Sequence, residues 1–392
     1  MQPYPFDTPN SQDIDTVAAR LLSGAPVVRA AMGGGEVWLA LSHDAARQVL
    51  SDPRFSREAA MGPNAPVVMR SAYDPDVLTS LDPPKHNRTR RLMSRAFSPR
   101  MVEAMAPRVR EIVAGLLDDL QAHGAPADLI GLFAAPLPIM VICELLGVPY
   151  TDRAVIQDWS RRLVSTTAYP PEEIAAAGRQ MDGYLAGLIA AKRAEPTGDL
   201  ISALIRVTDE QGALTEAELV KNTRMLLVGG HETTVNQLGN SVLALFRHPD
   251  QLALLRERPE LVTPAVEELL RYARLTGSTL PRVAVADVEL GGQLIRAGDG
   301  VIALTSSANM DAGVFAAPDR LDIARGGSGQ HLSFGHGPHF CLGAHLARLE
   351  LRTALTGLLA RFPTLGPAVA ESELRWRGGT PLRSLLALPV TW

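Results

Sequence analysis

Apolar and polar positions alternate with the period of a helix over most of this chain. Between residues 102 and about 193 the helical pattern is interrupted only at 124–128, 147–149 and 169–171, where glycine or proline occurs. Two apolar stretches near the N-terminus, 27–31 and 37–41, flank a run of glycines, which predicts a hairpin. A short helix is predicted from His43 to about Ser51. The pattern therefore indicates a mainly α protein with a small β-rich lobe.

The β-rich lobe is predicted to take its other strands from residues near 285–304. Two short apolar stretches there, 288–290 and 293–295, flank Gly291-Gly292, which fits a two-residue hairpin turn. Residues 59–81 show little periodicity and contain several Gly and Pro residues, so we predict a long loop of the kind that often carries function.

The longest predicted helix starts at the capping box Thr215-Glu-Ala-Glu218 and ends before Pro249. Its length of about 33 residues corresponds to roughly 50 Å. Gly229 and Gly230 fall near its middle, and each costs about 1 kcal/mol of helix stability relative to Ala. The hydroxyl of Thr233, four residues after Gly229, can donate to that carbonyl and open a groove in the helix. Such a defect indicates a place where a ligand approaches the backbone or the helix deforms.

The 392 residues, 46% of them hydrophobic, are enough for a large core and, by length alone, for two or three domains. No linker, repeat or charge block divides them, so we predict a single domain over residues 1–392. A net charge of −4 with dispersed basic residues gives no nucleic-acid footprint. The chain starts without signal-peptide features, and its most apolar run, 129–143, is too short to span a bilayer. We expect a cytoplasmic monomer without membrane or nucleic-acid partners.

Only two cysteines occur, which excludes a disulfide framework. Cys143 lies in an apolar helical stretch and should behave as a small hydrophobic residue. Cys341 lies in Phe-Gly-His-Gly-Pro-His-Phe-Cys-Leu-Gly, residues 334–343, at the start of a helix predicted over 342–362. Free N–H groups and the helix dipole stabilise a thiolate at such a position. Taken alone, a buried cysteine in a turn would be the commoner interpretation.

The spacing Phe-x-x-Gly-x-x-x-Cys-x-Gly resembles the haem-binding signature of the cytochrome P450 family, and His339 matches the bacterial form of that signature. The resemblance implies the cytochrome P450 fold and a non-covalent haem b whose iron is bound by the thiolate of Cys341. It also assigns Phe334, His339 and Gly343 to the haem site. A thiolate ligand of this kind favours cleavage of the O–O bond.

Further motifs follow in the family's order. Asp-Pro-Pro-x-His-x-Arg-x-Arg, residues 82–90, resembles the motif whose His86 and Arg90 would hold a haem propionate. Without that resemblance these residues would indicate only a solvated basic face. Arg282 resembles the second propionate arginine. Glu268-Leu-Leu-Arg271 resembles the family's buried Glu-x-x-Arg pair, which we expect Arg320 to complete as a structural network behind the haem.

The defect in the long helix, Gly-Gly-His-Glu-Thr-Thr at 229–234, could be a notch for helix packing. It also resembles the family's oxygen-activation motif. The resemblance implies that Glu232 relays protons, Thr233 organises the water, and Gly229 and Gly230 make room for O2. Heterolytic O–O cleavage requires this proton delivery. His231 is expected to face away and is assigned no role. The break at 165–171 would form a mobile lid over the substrate channel.

The resemblance implies a monooxygenase that inserts one oxygen atom from O2 into an organic substrate, by hydroxylation or epoxidation. Electrons would come from NAD(P)H through a separate ferredoxin reductase and ferredoxin. We expect a bulky macrolide or other polyketide of antibiotic biosynthesis, ahead of a cyclic dipeptide, a terpenoid or a xenobiotic. Two alternatives remain open at this point: a peroxide-driven peroxygenase, and a haem-thiolate sensor without turnover.

Overall fold

The structure is a computed structural model, and it describes residues 2–4, 17, 21–32, 35–62, 65–66, 74–211, 214–276 and 280–392. Helices form most of it. The α-helices are α1 His43–Ser51, α2 Lys85–Ala96, α3 Pro99–His123, α4 Pro136–Leu146, α5 Arg153–Leu163, α6 Pro171–Ala194, α7 Leu200–Gln211, α8 Glu216–Arg247, α9 Pro249–Glu257, α10 Val262–Tyr272, α11 Thr305–Ala308 and α12 Ala344–Arg361. Ile130–Ala134 is a short π-helical segment before α4.

The long helix α8 runs through the main core. The capping box predicted at its start is present: the amide of Glu218 donates to Thr215 Oγ1 over 3.2 Å, and the amide of Thr215 donates to Glu218 Oε2 over 2.7 Å. Most residues from Leu219 to Leu245 are buried against α4, α5, α6, α10 and α12. Cys143 on α4 is 3% exposed within the same core, as predicted.

Among the described residues the strands form three sheets, and the six-stranded sheet makes up most of the β-rich lobe beside the helices. They are β1 Gln2–Pro3, β2 Val27–Met32, β3 Gly35–Ala40, β4 Phe55–Ser56, β5 Ala127–Asp128, β6 Arg282–Ala284, β7 Val288–Leu290, β8 Gln293–Ile295, β9 Gly300–Ala303, β10 Gly366–Pro367 and β11 Pro389–Thr391. A six-stranded sheet has the order β1-β2-β3-β9-β6-β4. In its hairpin, Val27 pairs with Ala40 and Met32 pairs with Gly35.

The predicted hairpins, helix α1 and helix α8 are confirmed, and so is the mainly α fold with a small β-rich lobe. The loop predicted at 59–81 contains the 3₁₀ turns Ala59–Met61 and Leu78–Ser80, and part of it lies outside the described residues. Among the described residues, no helix has both the length and the apolar character needed to cross a bilayer.

Candidate active site

The Cys341 loop, residues 331–343, makes a tight turn between α1 and α12. Gly335 and Gly337 have φ values of 73° and 69°, the left-handed region that side chains rarely adopt. A Cβ atom on Gly337 would lie 2.8 Å from a carbonyl oxygen at the end of α1, so the loop also needs glycine there for space. The amide of Cys341 donates to the carbonyl of Phe334 over 2.9 Å, which closes the loop.

The side chain of Cys341 is exposed, yet protein surrounds it closely enough for desolvation to dominate its chemistry. Burial raises the pKa of the thiol, against the N–H of Gly343 and the charges of Arg90 and Arg348, which lower it. The sulfur is therefore accessible to solvent and at the same time closely surrounded by protein. The start of α12 does not by itself produce the thiolate expected from the sequence. A bound metal would, because metal binding displaces the thiol proton.

Basic side chains from three parts of the chain converge beside the Cys341 loop. His86 and Arg90 lie on α2, Arg282 begins β6, and His339 lies in the loop itself. The ring centroids of His86 and His339 are 4.3 Å apart. Arg282 is 5% exposed, and its Nη1 donates to the carbonyl of Phe55 over 2.9 Å. His86, Arg90 and Arg282, predicted as propionate partners, are thus brought together with His339, which the signature assigned to the haem site.

The pKa values of these basic groups are lowered, which favours their neutral forms. Burial, followed by the charges of Arg282 and His86, lowers the pKa of His339 to about 2. Burial, followed by the charge of Arg57, lowers the pKa of Arg282 to about 10. His86 Nε2 and Arg282 Nε are buried and have no hydrogen-bond partner among the described residues. An anion with several carboxylate oxygens would satisfy both atoms and relieve the repulsion, so the cluster fits the two propionates of a haem.

The defect in α8 has the predicted geometry. Thr233 Oγ1 donates to the carbonyl of Gly229 over 2.6 Å. A Cβ atom on Gly229 would meet none of the described residues within 4 Å, so this glycine faces open space among them. A Cβ atom on Gly230 would lie 3.0 Å from Ile142 Cδ1 of α4. The family resemblance implied space for O2 beside both glycines. The structure has such space beside Gly229, whereas Gly230 lets α8 and α4 pack closely.

Glu232 and His231 are buried side by side on α8. Burial raises the pKa of Glu232, against the charges of Arg377 and Arg161, which lower it. A carboxyl group that keeps its proton closer to neutral pH suits proton transfer. His231 is fully buried, its Nδ1 lies 3.6 Å from Glu232 Oε1, and in the described part of the chain neither ring nitrogen has a hydrogen-bond partner. The burial of its side chain was not predicted, because the sequence does not show which elements enclose it.

The structural network behind the loop differs from the prediction in its third member. Glu268 and Arg271 form a fully buried pair with two hydrogen bonds of 2.8 Å. The third side chain is Arg325, whose Nε donates to Glu268 Oε1 over 3.0 Å. Arg320 is exposed and contributes only its backbone carbonyl to Arg271, so its predicted role was wrong. Met310, unexplained from the sequence, places its sulfur 3.6 Å from Arg271 Nη1.

A second ion pair near the loop was not found from the sequence. Glu267 on α10 and Arg348 on α12 are joined by two hydrogen bonds of 2.6 and 2.8 Å. The two residues lie 81 positions apart on different helices, so no local spacing could have indicated their contact. The pocket residues expected at 67–69 and 278–279 lie outside the described residues.

Comparisons with known proteins show the family to which the chain belongs. The family model described as Cytochrome P450 matches residues 254–371. Nocardicin C N-oxygenase of Nocardia uniformis is 47% identical over 392 residues, covering 99% of this chain and 98% of that protein. Mycinamicin IV hydroxylase/epoxidase of Micromonospora griseorubida is 43% identical, covering 99% of this chain and 98% of that protein.

A solved structure extends the similarity to three dimensions. The cytochrome P450 hydroxylase from the leinamycin biosynthetic pathway of Streptomyces atroolivaceus superposes with a TM-score of 0.93 at 47% identity, and the match covers 100% of both chains. Identity at this level over the whole length of both chains shows common family membership. The chain belongs to the cytochrome P450 family and is a haem-thiolate monooxygenase that receives its electrons from redox partners.

Proposed function

We propose that this monooxygenase inserts one oxygen atom from O2 into a bulky, mostly apolar secondary metabolite, a macrolide or other polyketide of antibiotic biosynthesis. Similar proteins support this substrate class, because one is named for hydroxylation and epoxidation of mycinamicin IV and another comes from the leinamycin pathway. The reaction is hydroxylation or epoxidation. Oxygen transfer to nitrogen is the second candidate, favoured by the relative named Nocardicin C N-oxygenase.

The cofactor in this proposal is a non-covalent haem b. Cys341 supplies the thiolate ligand, and Phe334 and Gly343 border it. His86, Arg90, Arg282 and His339 hold the propionates; this assignment rests on His86 Nε2 and Arg282 Nε, for which the described residues offer no hydrogen-bond partner. When bound, the haem supplies the binding and reductive activation of O2. Electrons pass singly from NAD(P)H through a ferredoxin reductase and a ferredoxin to the monomeric, cytoplasmic enzyme.

The observation that carries the mechanism is the 2.6 Å hydrogen bond from Thr233 Oγ1 to the carbonyl of Gly229. It holds the hydroxyl oxygen at the opening in α8, where its lone pairs can accept from a water molecule. Glu232 is the proton source, since burial raises its pKa while Arg161 and Arg377 keep its ionised form accessible. The two residues together deliver protons to the oxygen site and favour O–O cleavage over peroxide release.

The test compares Thr233→Ala with Thr233→Ser in the haem-loaded enzyme with its redox partners. We expect Thr233→Ala to lower product formed per O2 consumed by about 100-fold, because positioned proton transfer contributes a factor of that order. Thr233→Ser keeps the hydroxyl and should retain most of the coupling. Thr234→Ala is the matched control, because Thr234 makes a similar but longer contact of 3.5 Å to Gly230 on the packed side of α8. Full coupling in Thr233→Ala would overturn the proposed proton route.

Two measurements separate the remaining alternatives. Turnover with hydrogen peroxide that equals turnover with reduced ferredoxin would identify a peroxygenase. Tight ligand binding without any product under both conditions would identify a sensor. The difference spectrum of the reduced protein with and without carbon monoxide tests the thiolate assignment, since a red-shifted Soret band requires Cys341 as ligand and should be lost in Cys341→His.

Substrate class is tested by titrating the haem-loaded enzyme with mycinamicin IV, nocardicin C and a terpenoid of similar size. We expect mycinamicin IV to shift the haem from low to high spin at a lower concentration than the other two compounds. A shift produced only by nocardicin C would replace the macrolide proposal with oxygen transfer to nitrogen.

A further inference from the structure

Glu267 lies directly before the Glu-x-x-Arg pair but belongs to a different network. Arg348 Nε donates to Glu267 Oε1 over 2.6 Å, and Arg348 Nη2 donates to Oε2 over 2.8 Å. His331 Nε2 lies 3.3 Å from the same Oε2. Burial opposes ionisation, but the bonds from Arg348 and His331 prevail and lower the pKa of Glu267 to about 2. Glu267 is therefore ionised at every relevant pH.

This network reaches the Cys341 loop through Phe334. The guanidinium carbon of Arg348 lies 4.5 Å from the centroid of the Phe334 ring, a cation–π arrangement. The centroid of the His331 ring lies 5.8 Å from the centroid of the Phe334 ring. The carbonyl of Phe334 in turn accepts the amide hydrogen of Cys341 over 2.9 Å. The charged pair is thus connected to the ligand residue through one side chain and one backbone hydrogen bond.

The charge of the network follows from its hydrogen bonds. The amide of Ser333 donates to His331 Nδ1 over 3.1 Å, so this nitrogen carries no proton. The proton of a neutral His331 then lies on Nε2, which donates to Glu267. Glu267 and Arg348 carry opposite charges, so the charges of this pair sum to zero. Glu267 and Arg348 are only 19% and 21% exposed, so solvent does not fully screen either charge.

We propose that Glu267, Arg348 and His331 are positioning residues that hold Phe334 against the Cys341 backbone and set the reduction potential of the metal bound by Cys341. The inference rests on the proposed function, which makes Cys341 the axial ligand. Reduction adds one negative charge to the metal site. A nearby positive charge therefore favours the reduced form, and a nearby negative charge opposes it. The net effect on the reduction potential depends on the balance between the positive charge of Arg348 and the negative charge of Glu267.

This electrostatic role predicts shifts of opposite sign for the two halves of the pair. Glu267→Gln leaves Arg348 unneutralised and should raise the potential. Arg348→Gln leaves Glu267 unneutralised and should lower it. In the double variant the net charge is again zero, and the potential should return towards the native value. A purely structural role predicts shifts in the same direction for both single variants and the largest disturbance for the double variant.

The experiment is spectroelectrochemical titration of the haem-loaded, substrate-free protein. We expect each single variant to change the ratio of reduced to oxidised protein at fixed potential by threefold to tenfold, and a tenfold change corresponds to about 59 mV for one electron. Glu260→Gln is the matched control, because Glu260 pairs with Arg258 on the exposed surface and should change the ratio by less than twofold. Arg348→Lys keeps the charge and should stay within threefold, which covers the case in which Arg348→Gln fails to fold.

The carbon monoxide difference spectrum is recorded on the same samples. A red-shifted band in the native protein with potentials that are unchanged, or shifted in one direction by both single variants, would overturn this inference and leave the proposed function standing. An unshifted band in the native protein would instead remove the thiolate assignment itself.

Discussion

Glu350 on α12 is a buried carboxyl group whose ionisation is disfavoured by its surroundings. It is 2% exposed, and its Oε2 has no hydrogen-bond partner among the described residues. Burial raises its pKa well above the usual value. The folded protein therefore favours the protonated form, while the unfolded chain releases this proton at its ordinary pKa. By linkage, the stabilising contribution of the protonated carboxyl is fully present below the unfolded pKa and is lost as pH rises through the folded pKa.

Replacing Glu350 by Gln should remove this pH dependence, since the amide is neutral at every pH. We expect the free energy of unfolding of Glu350→Gln to match that of the native protein near pH 5 and to exceed it as pH rises. The difference should grow by up to about 1.4 kcal/mol per pH unit between the unfolded and folded pKa values. Urea unfolding of the haem-loaded protein between pH 5 and pH 8.5 measures it.

Glu103→Gln on the exposed face of α3 serves as the control, because it removes a carboxyl group without changing a buried site. A stability difference for Glu350→Gln that stays constant with pH would show that Glu350 has the same pKa in the folded and unfolded protein.

Among single residues, the sequence predicted those whose partners lie nearby along the chain. The bond from Thr233 to Gly229 follows from four-residue spacing within one helix, and the turns at Gly335 and Gly337 follow from their backbone freedom. The prediction of Arg320 as the third member of the network is wrong, since Arg325 takes that place and both residues follow α11 within a short irregular stretch. Only the path of the backbone decides which of the two side chains reaches Glu268.

At the level of elements, the connection between α5 and α6 is hydrogen-bonded to a turn near the C-terminus. The carbonyl of Gly379 accepts the amide of Thr166 over 2.7 Å and that of Thr167 over 3.3 Å. Gly379 has φ of 67°, and a Cβ atom there would lie 2.6 Å from the amide nitrogen of Ala168. The family resemblance implied a mobile lid at 165–171, and these two hydrogen bonds join that segment to the Gly379 turn.

Replacing Gly379 by Ala should detach the lid, since the new Cβ atom and the unfavourable φ act on the same contact. The backbone strain alone costs about 1–3 kcal/mol. We expect the amides of Thr166 and Thr167 to lose hydrogen-exchange protection by roughly tenfold, which corresponds to 1.4 kcal/mol of opening free energy. Mass spectrometry of the peptides that cover α5 and α6 would detect this loss.

Gly378→Ala provides the matched control, because a Cβ atom at Gly378 meets nothing within 4 Å and the residue has no positive φ. Equal exchange in the two variants would mean that the lid does not depend on the Gly379 contact. Contacts of this kind join residues about 213 positions apart, so local sequence patterns predict the lid and the turn separately but not their pairing.

At the level of the whole molecule, the proposed haem site takes residues from both the helical part and the β-rich lobe. Arg282 comes from β6 of the six-stranded sheet, His86 and Arg90 come from α2, and Cys341 precedes α12. Helical and strand periods were enough to predict both parts. Their joint contribution to one site was predicted only through family motifs, because spacing along a sequence carries no information about how distant elements pack.

This arrangement predicts that the haem-loaded protein unfolds as one domain. Heating should release the haem and melt the helices together, since loss of either part removes ligands or propionate partners and leaves the remaining basic side chains repelling one another. The Soret absorbance and the helical circular dichroism at 222 nm should therefore give midpoints within about 2 °C, as for a two-state transition. Haem-free protein should melt at a lower temperature, because a ligand at 1,000 times its Kd stabilises the folded state by about 4 kcal/mol. A helical transition that survives loss of the Soret band by many degrees would instead reveal a unit that folds without the β-rich lobe and would divide the chain into two domains.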